Sequence, residues 1–124
     1  MIRAAQDRYA SSPNAHFSVA SEPLETADYG IASGIFHVRL GHSNAEWQKH
    51  LETTLAALDR TSRRGFAFNC LTSYSDADKM RAYLHYADPC ALFDFCRLRY
   101  SRHVALLHDY SLYEFTILVM RKHL

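Results

Sequence analysis

The pattern of apolar and polar residues divides the chain into strand and helix segments. Asp28–Phe36 combines strand-forming and small residues without polar alternation, which predicts a strand buried on both faces that ends in a glycine turn. Gly65–Leu71 is a second apolar segment of the strand type. Between them, an apolar stripe predicts a helix over Asn44–Thr61, and Ser43 with Glu46 forms the pattern of a capping box at its start.

The carboxyl-terminal half predicts a helix followed by a hairpin. Asp88 with Pro89 has the pattern of a helix start, with a capping carboxylate followed by proline in the first turn. Val104–His108 and Phe115–Met120 are two apolar strands, and the short connection between them predicts antiparallel pairing.

Other segments give weaker signals. Ile2–Ala10 has helical spacing, and the alternation in His16–Ala20 predicts a short strand. Gly65 is expected to close the helix that begins near Asn44. Ser75 is expected to cap a short helix over Asp76–Tyr83, in a long polar and aromatic segment that is either a functional lid or irregular packing.

Composition and charge narrow the class of protein. The chain has 124 residues, is 48% hydrophobic and has a net charge of +1, so residues 1–124 are expected to form one domain. Neither nucleic acid nor a membrane is expected as a partner, because the charge is balanced and no apolar run is long enough to span. The three cysteines form no CxxC pair, which favours a cytoplasmic protein with reduced thiols. No metal site is expected, since Cys90 and Cys96 do not share a helix face well.

The order of these segments resembles the last two thirds of a class I, Rossmann-like S-adenosylmethionine-dependent methyltransferase. The resemblance covers nearly the whole chain, and its most specific feature is the closing hairpin. It implies an α/β fold: a partial Rossmann-like sheet, mostly parallel with a carboxyl-terminal antiparallel hairpin, and helices on both faces. The matching segments, in family order from the helix after the second strand, are Met1–Ala5, Phe17–Ser21, Ala32–Phe36, Gly65–Ser73, Leu106–Tyr110 and Tyr113–Lys122.

The chain departs from the family pattern at its amino-terminal end. No GxGxG turn is present among the four glycines, and the acidic residue that ends the second family strand is absent too. The chain therefore resembles a methyltransferase without its first two strands and first helix. The Asn/Asp-Pro-Pro-aromatic signature of many amino-group methyltransferases is also missing, because Ser33-Gly34-Ile35-Phe36 occupies that place.

The resemblance implies positions for a cofactor and a substrate. By family position, S-adenosylmethionine would lie near Ser21 and Glu22 on its adenine side, and near Ser33, Gly34 and Ile35 on its methionine side. Weak or no binding is expected in this chain because the glycine-rich turn is missing. Side chains that could face a small-molecule substrate are His37, Asn69, Tyr74 and Tyr86.

Two interpretations of the function remain at this stage. The first is the carboxyl-terminal portion of a methyltransferase, inactive alone, with an unknown methyl acceptor. The alternative is a non-catalytic α/β interaction or assembly module derived from one. In either case Tyr29–Ile35 would be an open sheet edge without proline or lysine, which predicts either pairing with His16–Ala20 or a homodimer through that edge.

Overall fold

The structure is a computed structural model that describes residues 2–8, 10, 13–20, 22–108 and 113–121. These residues form a mixed sheet with helices beside it, in the chain order α1 (Ile2–Arg8), β1 (Ala27–Ala32), α2 (Asn44–Arg60), β2 (Ser62–Thr72), β3 (Tyr86–Ala87), α3 (Pro89–Arg99), β4 (His103–Leu107) and β5 (Glu114–Met120). Within them, no helix is both long and apolar enough to cross a membrane.

The sheet confirms the predicted α/β fold class. Its strand order is β1-β2-β5-β4, and β3 pairs with the end of β2. The β1–β2 and β2–β3 pairs are parallel, whereas β2–β5 and β4–β5 are antiparallel. The predicted closing hairpin is therefore confirmed by its paired strands, while residues 109–112 of its connection lie outside the described part of the chain.

Helix α2 begins where its sequence predicts. The Ser43 hydroxyl accepts a hydrogen bond from the Glu46 amide at 3.1 Å, and the Glu46 carboxylate accepts one from the Ser43 amide at 3.0 Å. This reciprocal pair satisfies two backbone donors at the helix start. Helix α3 also begins as predicted, because the Asp88 carboxylate accepts hydrogen bonds from the amides of Cys90 and Ala91.

The core lies on one face of the sheet, which we name the covered face. Alternation along β2 and the antiparallel register bring large apolar side chains together there: Phe66, Phe68, Cys70, Phe115, Ile117 and Val119. Leu51, Leu55 and Leu58 of α2 and Leu92 and Cys96 of α3 belong to the same cluster. The sequence predicted helices on both faces, and in the described residues these two helices both pack on the covered face.

The opposite face of the sheet carries the alternate side chains, and we name it the open face. Register places Ile31 beside Ala67, and Ala67 beside Leu118. Ile31 is 77% exposed and Tyr29 is 53% exposed. The members of this face are Tyr29, Ile31, Gly65, Ala67, Asn69, Leu71, His103, Ala105, Leu107, Glu114, Thr116, Leu118 and Met120.

Two strand predictions are corrected by the structure. His16–Ala20 forms no strand, and Val19 is 84% exposed. A groove separates Ser18 and Ala20 from the outer edge of β1, so this segment forms no backbone ladder with that edge. The predicted strand over Asp28–Phe36 ends at Ala32, and four of the six residues of β1 are exposed. Because α2 and α3 both pack on the covered face, β1 is not buried on both faces, and Tyr29 and Ile31 stay exposed on the other.

Two further local predictions were wrong. Gly65 does not close α2, which ends at Arg60; it lies inside β2, where a Cβ atom would come within 2.6 Å of the Val119 carbonyl oxygen. The segment Asp76–Tyr83 contains only a short 3-10 turn at Ala77–Lys79. Ser75 does not cap it, because its hydroxyl donates to the Thr72 carbonyl at 2.6 Å.

Candidate functional site

The turn after β1 is held by a side chain from β2. Asn69 Nδ2 donates to Ser33 Oγ at 3.3 Å, and the Gly34 amide donates to Asn69 Oδ1 at 2.7 Å. Ala32 pairs with Phe68, so the next residue of each strand lies at the same level of the sheet. Gly34 has a φ of 75°, a left-handed conformation that glycine adopts without steric cost. We name Ser33, Gly34 and Asn69 together the Asn69 clasp.

A groove of about 560 Å³ runs along the outer edge of β1. Glu22, Ser33 and Ile35, three of the positions predicted for a cofactor, are part of its lining. The full lining is Ser18, Ala20, Glu22, Pro23, Leu24, Ile31, Ala32, Ser33, Ile35, Thr54, Ala57 and Leu58. Ser33, Gly34 and Ile35 thus lie at the carboxyl end of β1, whereas Glu22 pairs with Arg60 beside the amino end of the strand. Ser21 lies outside the described residues.

The position of Glu22 in this groove is fixed by a charge pair. Its carboxylate lies 2.7 Å from Arg60 at the end of α2, and both side chains are more than half exposed. Nearby, Asp28 pairs with Arg63 at 3.0 Å. These surface pairs contribute little to stability, but they orient the segment around Glu22 toward α2 and β1.

The four residues predicted to face a substrate occupy different surroundings. Asn69 belongs to the clasp, whereas the Tyr74 hydroxyl lies 3.4 Å from Cys90 Sγ at the start of α3, and this hydrogen bond raises the pKa of Tyr74. The Tyr86 hydroxyl accepts a hydrogen bond from the Arg81 amide at 2.9 Å. In the described part of the chain, the hydrogen bonds and ring contacts of Tyr74 and Tyr86 do not reach the clasp.

His37 lies where two loops meet above the carboxyl ends of the strands. Its carbonyl oxygen accepts a hydrogen bond from the His85 amide at 2.8 Å, and Val38 forms a β-bridge with Leu84. The amides of Arg39 and Leu40 both donate to the Tyr83 carbonyl. His37 Nε2 is buried and has no hydrogen-bond partner in the described residues.

Sequence reasoning missed His85, which lies beside the predicted Tyr86. His85 is only 6% exposed, and both of its ring nitrogens are buried without a hydrogen-bond partner among the described residues. Burial, with a smaller contribution from the positive charge of Arg39, lowers the pKa of His85 and favours the neutral ring. No pattern marked this histidine, because its burial depends on the contact between two loops distant in sequence.

His85 also lines a second pocket, of about 550 Å³, between the first turns of α2 and α3. Its lining is Asn44, Ala45, Gln48, His85, Tyr86, Ala87, Asp88, Ala91, Leu92 and Phe95. Among the residues predicted to face a substrate, Tyr86 therefore lines this pocket, which lies on the helical side of the sheet. In the described part of the chain, no three histidine, cysteine or acidic residues are grouped so that they could hold a metal ion.

Comparison with known proteins gives one informative match. No protein-family profile matches the chain, and no solved structure matches it. The chain is 61% identical, over 121 residues, to the Mycobacterium tuberculosis protein named Putative methyltransferase Rv1506c. That alignment covers 98% of this chain and 73% of the mycobacterial protein. At this identity and coverage, the chain belongs to the same methyltransferase family as its mycobacterial relative.

Proposed function

We propose that the chain is the carboxyl-terminal portion of an S-adenosylmethionine-dependent methyltransferase, folded as one domain over residues 1–124. The observation that carries this proposal is the 61% identity to a protein named as a methyltransferase. The resemblance of the chain to class I methyltransferases supports the choice of cofactor, and the methyl acceptor is an unknown small molecule.

The cofactor is proposed to lie in the groove beside β1. Glu22, Ser33 and Ile35 line that groove, and its volume of about 560 Å³ is in the range of cofactor pockets. Gly34 carries no side chain and lies in open space, so a ligand could approach its backbone closely. Ser21 lies outside the described residues, and its proposed role near the adenine rests on the family resemblance alone.

Methyl transfer depends mainly on the alignment of the methyl donor with the acceptor. Transfer of a methyl group from a sulfonium is an in-line displacement, which depends on orientation and the exclusion of water. The Asn69 clasp would fix the wall beside the reacting groups, because it ties the turn to the central strand β2. His37, Tyr74 and Tyr86 are proposed to face the acceptor from the loop after β1, the turn after β2 and strand β3, respectively.

Cofactor binding can be tested by nuclear magnetic resonance on the chain itself. S-adenosylmethionine at about millimolar concentration should shift the amide signals of Glu22, Ser33, Gly34 and Ile35, with no saturation in the micromolar range, since the chain has no glycine-rich turn. At the same S-adenosylmethionine concentration, these amide shifts should be roughly threefold to tenfold smaller in Asn69→Ala, because the turn loses two hydrogen bonds.

Asn14→Ala, at an exposed position, is the matched control and should leave the cofactor-induced shifts unchanged. Shifts confined to other parts of the chain would overturn the placement of the cofactor. Micromolar affinity would overturn the expectation that this chain binds S-adenosylmethionine weakly or not at all.

A second candidate is an assembly function, and the exposure of β1 favours it. β1 is an edge strand, and its open-face residues Tyr29 and Ile31 are 53% and 77% exposed. Its outward backbone donors and acceptors have no strand partner in the described residues, so it can pair with another strand. We propose that two copies pair through β1 to form a homodimer.

Light scattering on the purified chain tests the homodimer. Ile31→Lys should convert a dimer to a monomer at about tens of micromolar, because a lysine on an edge strand discourages pairing. Leu98→Lys is the matched control, since Leu98 is 75% exposed but lies on α3. A wild-type chain that is monomeric at this concentration would refute the homodimer while leaving the cofactor proposal to its own test.

A further inference from the structure

The pocket between α2 and α3 contains an unsatisfied buried polar side chain. The side chain of His85 is only 6% exposed, and its Nδ1 and Nε2 atoms have no hydrogen-bond partner in the described residues. A neutral imidazole has one donor and one acceptor nitrogen, so this ring leaves both roles open. Native proteins rarely bury such a group without a partner.

The surroundings explain why the ring is held in place. The His85 amide donates to the His37 carbonyl at 2.8 Å, and the Trp47 ring lies 6.4 Å from the imidazole centroid. The backbone is therefore fixed on one side by the loop after β1, and the ring is packed beside α2. The imidazole is therefore already held in position before a ligand binds, so binding would cost little free energy for ordering the loop.

The walls of the pocket favour an apolar body. Ala45, Ala87, Ala91, Leu92 and Phe95 contribute apolar surface, and the pocket volume of about 550 Å³ suits a small molecule. Both ring nitrogens of His85 are shielded from solvent, so a ligand reaches them only when neighbouring side chains move, as interface side chains commonly do on binding. The pocket thus combines an apolar wall with a small number of polar side chains, as small-molecule sites usually do, and His85 is the one whose buried ring nitrogens have no partner in the described residues.

The charged groups near the pocket are already engaged. Asp88 Oδ1 accepts hydrogen bonds from the amides of Cys90 and Ala91. The Arg39 guanidinium donates to Asn44 Oδ1 and to the Ala82 carbonyl oxygen. Burial lowers the pKa of His85, so the imidazole is neutral as well. An anion would lose its hydration without gaining a free cationic partner, and the Asp88 carboxylate is exposed, so solvent screens its attraction for a cation. These surroundings favour an uncharged ligand.

From this combination we infer that the pocket is a binding site for a small, uncharged apolar molecule bearing a hydroxyl group, which hydrogen-bonds to His85. A hydroxyl both donates and accepts, so it can satisfy the imidazole in either tautomer. This site goes beyond the proposed function, because it lies apart from the groove beside β1 and its ligand is recognised by His85. It shares Tyr86 with the residues proposed to face the methyl acceptor, but phenol binding to it can be measured without methyl transfer.

Phenol and toluene are suitable probes, since they differ by a hydroxyl in place of a methyl group. Binding is measured by nuclear magnetic resonance titration, with the methyl signals of Ala45, Ala87, Ala91 and Leu92 as reporters. The ratio of phenol affinity to toluene affinity should fall roughly tenfold in His85→Leu relative to the wild type, because the hydroxyl loses its partner. His103→Leu, an exposed histidine on β4, should leave the ratio unchanged.

Ala91→Leu provides a second test that leaves His85 intact. Ala91 is exposed on α3 and lines the pocket, so a larger helix-forming side chain fills the space with little effect on folding. Phenol binding should be lost in this variant. The inference is overturned if phenol shifts none of the four reporter residues, if the affinity ratio is the same in His85→Leu, or if Ala91→Leu binds phenol like the wild type.

Discussion

The two faces of the sheet are built from the same strands but have opposite surroundings. On the covered face, Phe68 is 1% exposed and belongs to the core cluster, which also contains residues of two helices. On the open face, the neighbouring strand position Ala67 lies beside Ile31, which is 77% exposed. Both faces are largely apolar, so composition alone does not determine which is buried. The difference lies in which face the described helices reach.

This difference between the two faces separates the residues that stabilise the fold from those that we propose for cofactor binding and assembly. The covered face holds the helices and the strands together by apolar burial. The open face and the edge of β1 carry the Asn69 clasp and the exposed apolar residues, which are available for binding. We therefore expect substitutions of the buried core residues on the covered face to change the free energy of unfolding, and those of exposed residues on the open face or beside β1 to change assembly or cofactor binding. The pocket at His85, on the helical side, lies outside this division.

The largest expected effect is at Phe68. Phe68→Ala should lower the free energy of unfolding by about 3–5 kcal/mol, because a buried aromatic ring is lost and a cavity remains. Its ring makes an edge contact with Phe36 at 6.0 Å between centroids. Ile31→Ala is the matched control on the open face and should change stability by less than about 1 kcal/mol. Denaturant unfolding that gives the two variants equal losses would remove the distinction between the faces.

Gly65 should be an exception on the open face. A Cβ atom there would come within 2.6 Å of the Val119 carbonyl oxygen and 3.2 Å of Met120 Cα, which are backbone atoms that cannot move independently. Gly65→Ala should therefore cost about 1–3 kcal/mol through steric strain.

Gly41→Ala is the control for Gly65, because no atom lies within 4 Å of the position that its Cβ would take. Thermal or denaturant unfolding should show little change in this variant. If Gly65→Ala is as stable as Gly41→Ala, then β2 and β5 are not packed as closely at this point as the structure indicates.

Sequence reasoning succeeded where the controlling interactions are local. Ser43 and Glu46 predicted the start of α2 because a capping box needs only four consecutive residues. Asp88 and Pro89 predicted the start of α3 for a similar reason. The hairpin of β4 and β5 was also predictable, since its strands are neighbours in the sequence.

It failed where burial depends on a distant partner. Gly65 has the ordinary pattern of a helix-closing residue, and only its pairing with Met120 shows why glycine is needed there. The alternation in His16–Ala20 predicted a strand, but a groove separates this segment from the free edge of β1, and it pairs with no strand in the described residues. In the site, the turn at Ser33 and Gly34 was predicted, but the contact that buries His85 joins residues 48 positions apart, His37 and His85.

A smaller effect is expected at the start of α2, the helix that covers β1 and β2. Ser43→Ala should lower the free energy of unfolding by about 1 kcal/mol, because the Glu46 amide loses its acceptor. Ser73→Ala is the control at an exposed position outside the helices. Denaturant unfolding monitored by circular dichroism gives both values, and equal stability of the two variants would contradict the importance of this cap.

The smallest effect concerns the pH dependence of the same cap. Hydrogen bonds from Ser43, above all from its backbone amide, lower the pKa of Glu46 below its ordinary value of 4.5. A carboxyl group whose pKa is lower in the folded state stabilises the fold above its unfolded pKa, and this contribution is lost as the pH falls through the folded pKa. Glu46→Gln should therefore remove a small part of the loss of stability on acidification below about pH 4.5.

Glu25→Gln is the matched control, because Glu25 is exposed and lies outside the helices and strands. Unfolding free energies measured between about pH 3 and pH 7 should differ in slope for Glu46→Gln, but not for Glu25→Gln, from those of the wild type. Parallel pH profiles for all three proteins would show that the Glu46 carboxylate is not held by Ser43 in solution. The start of α2 would then depend on the Ser43 hydroxyl alone, and the covered face would lose one of its two local supports at that helix terminus.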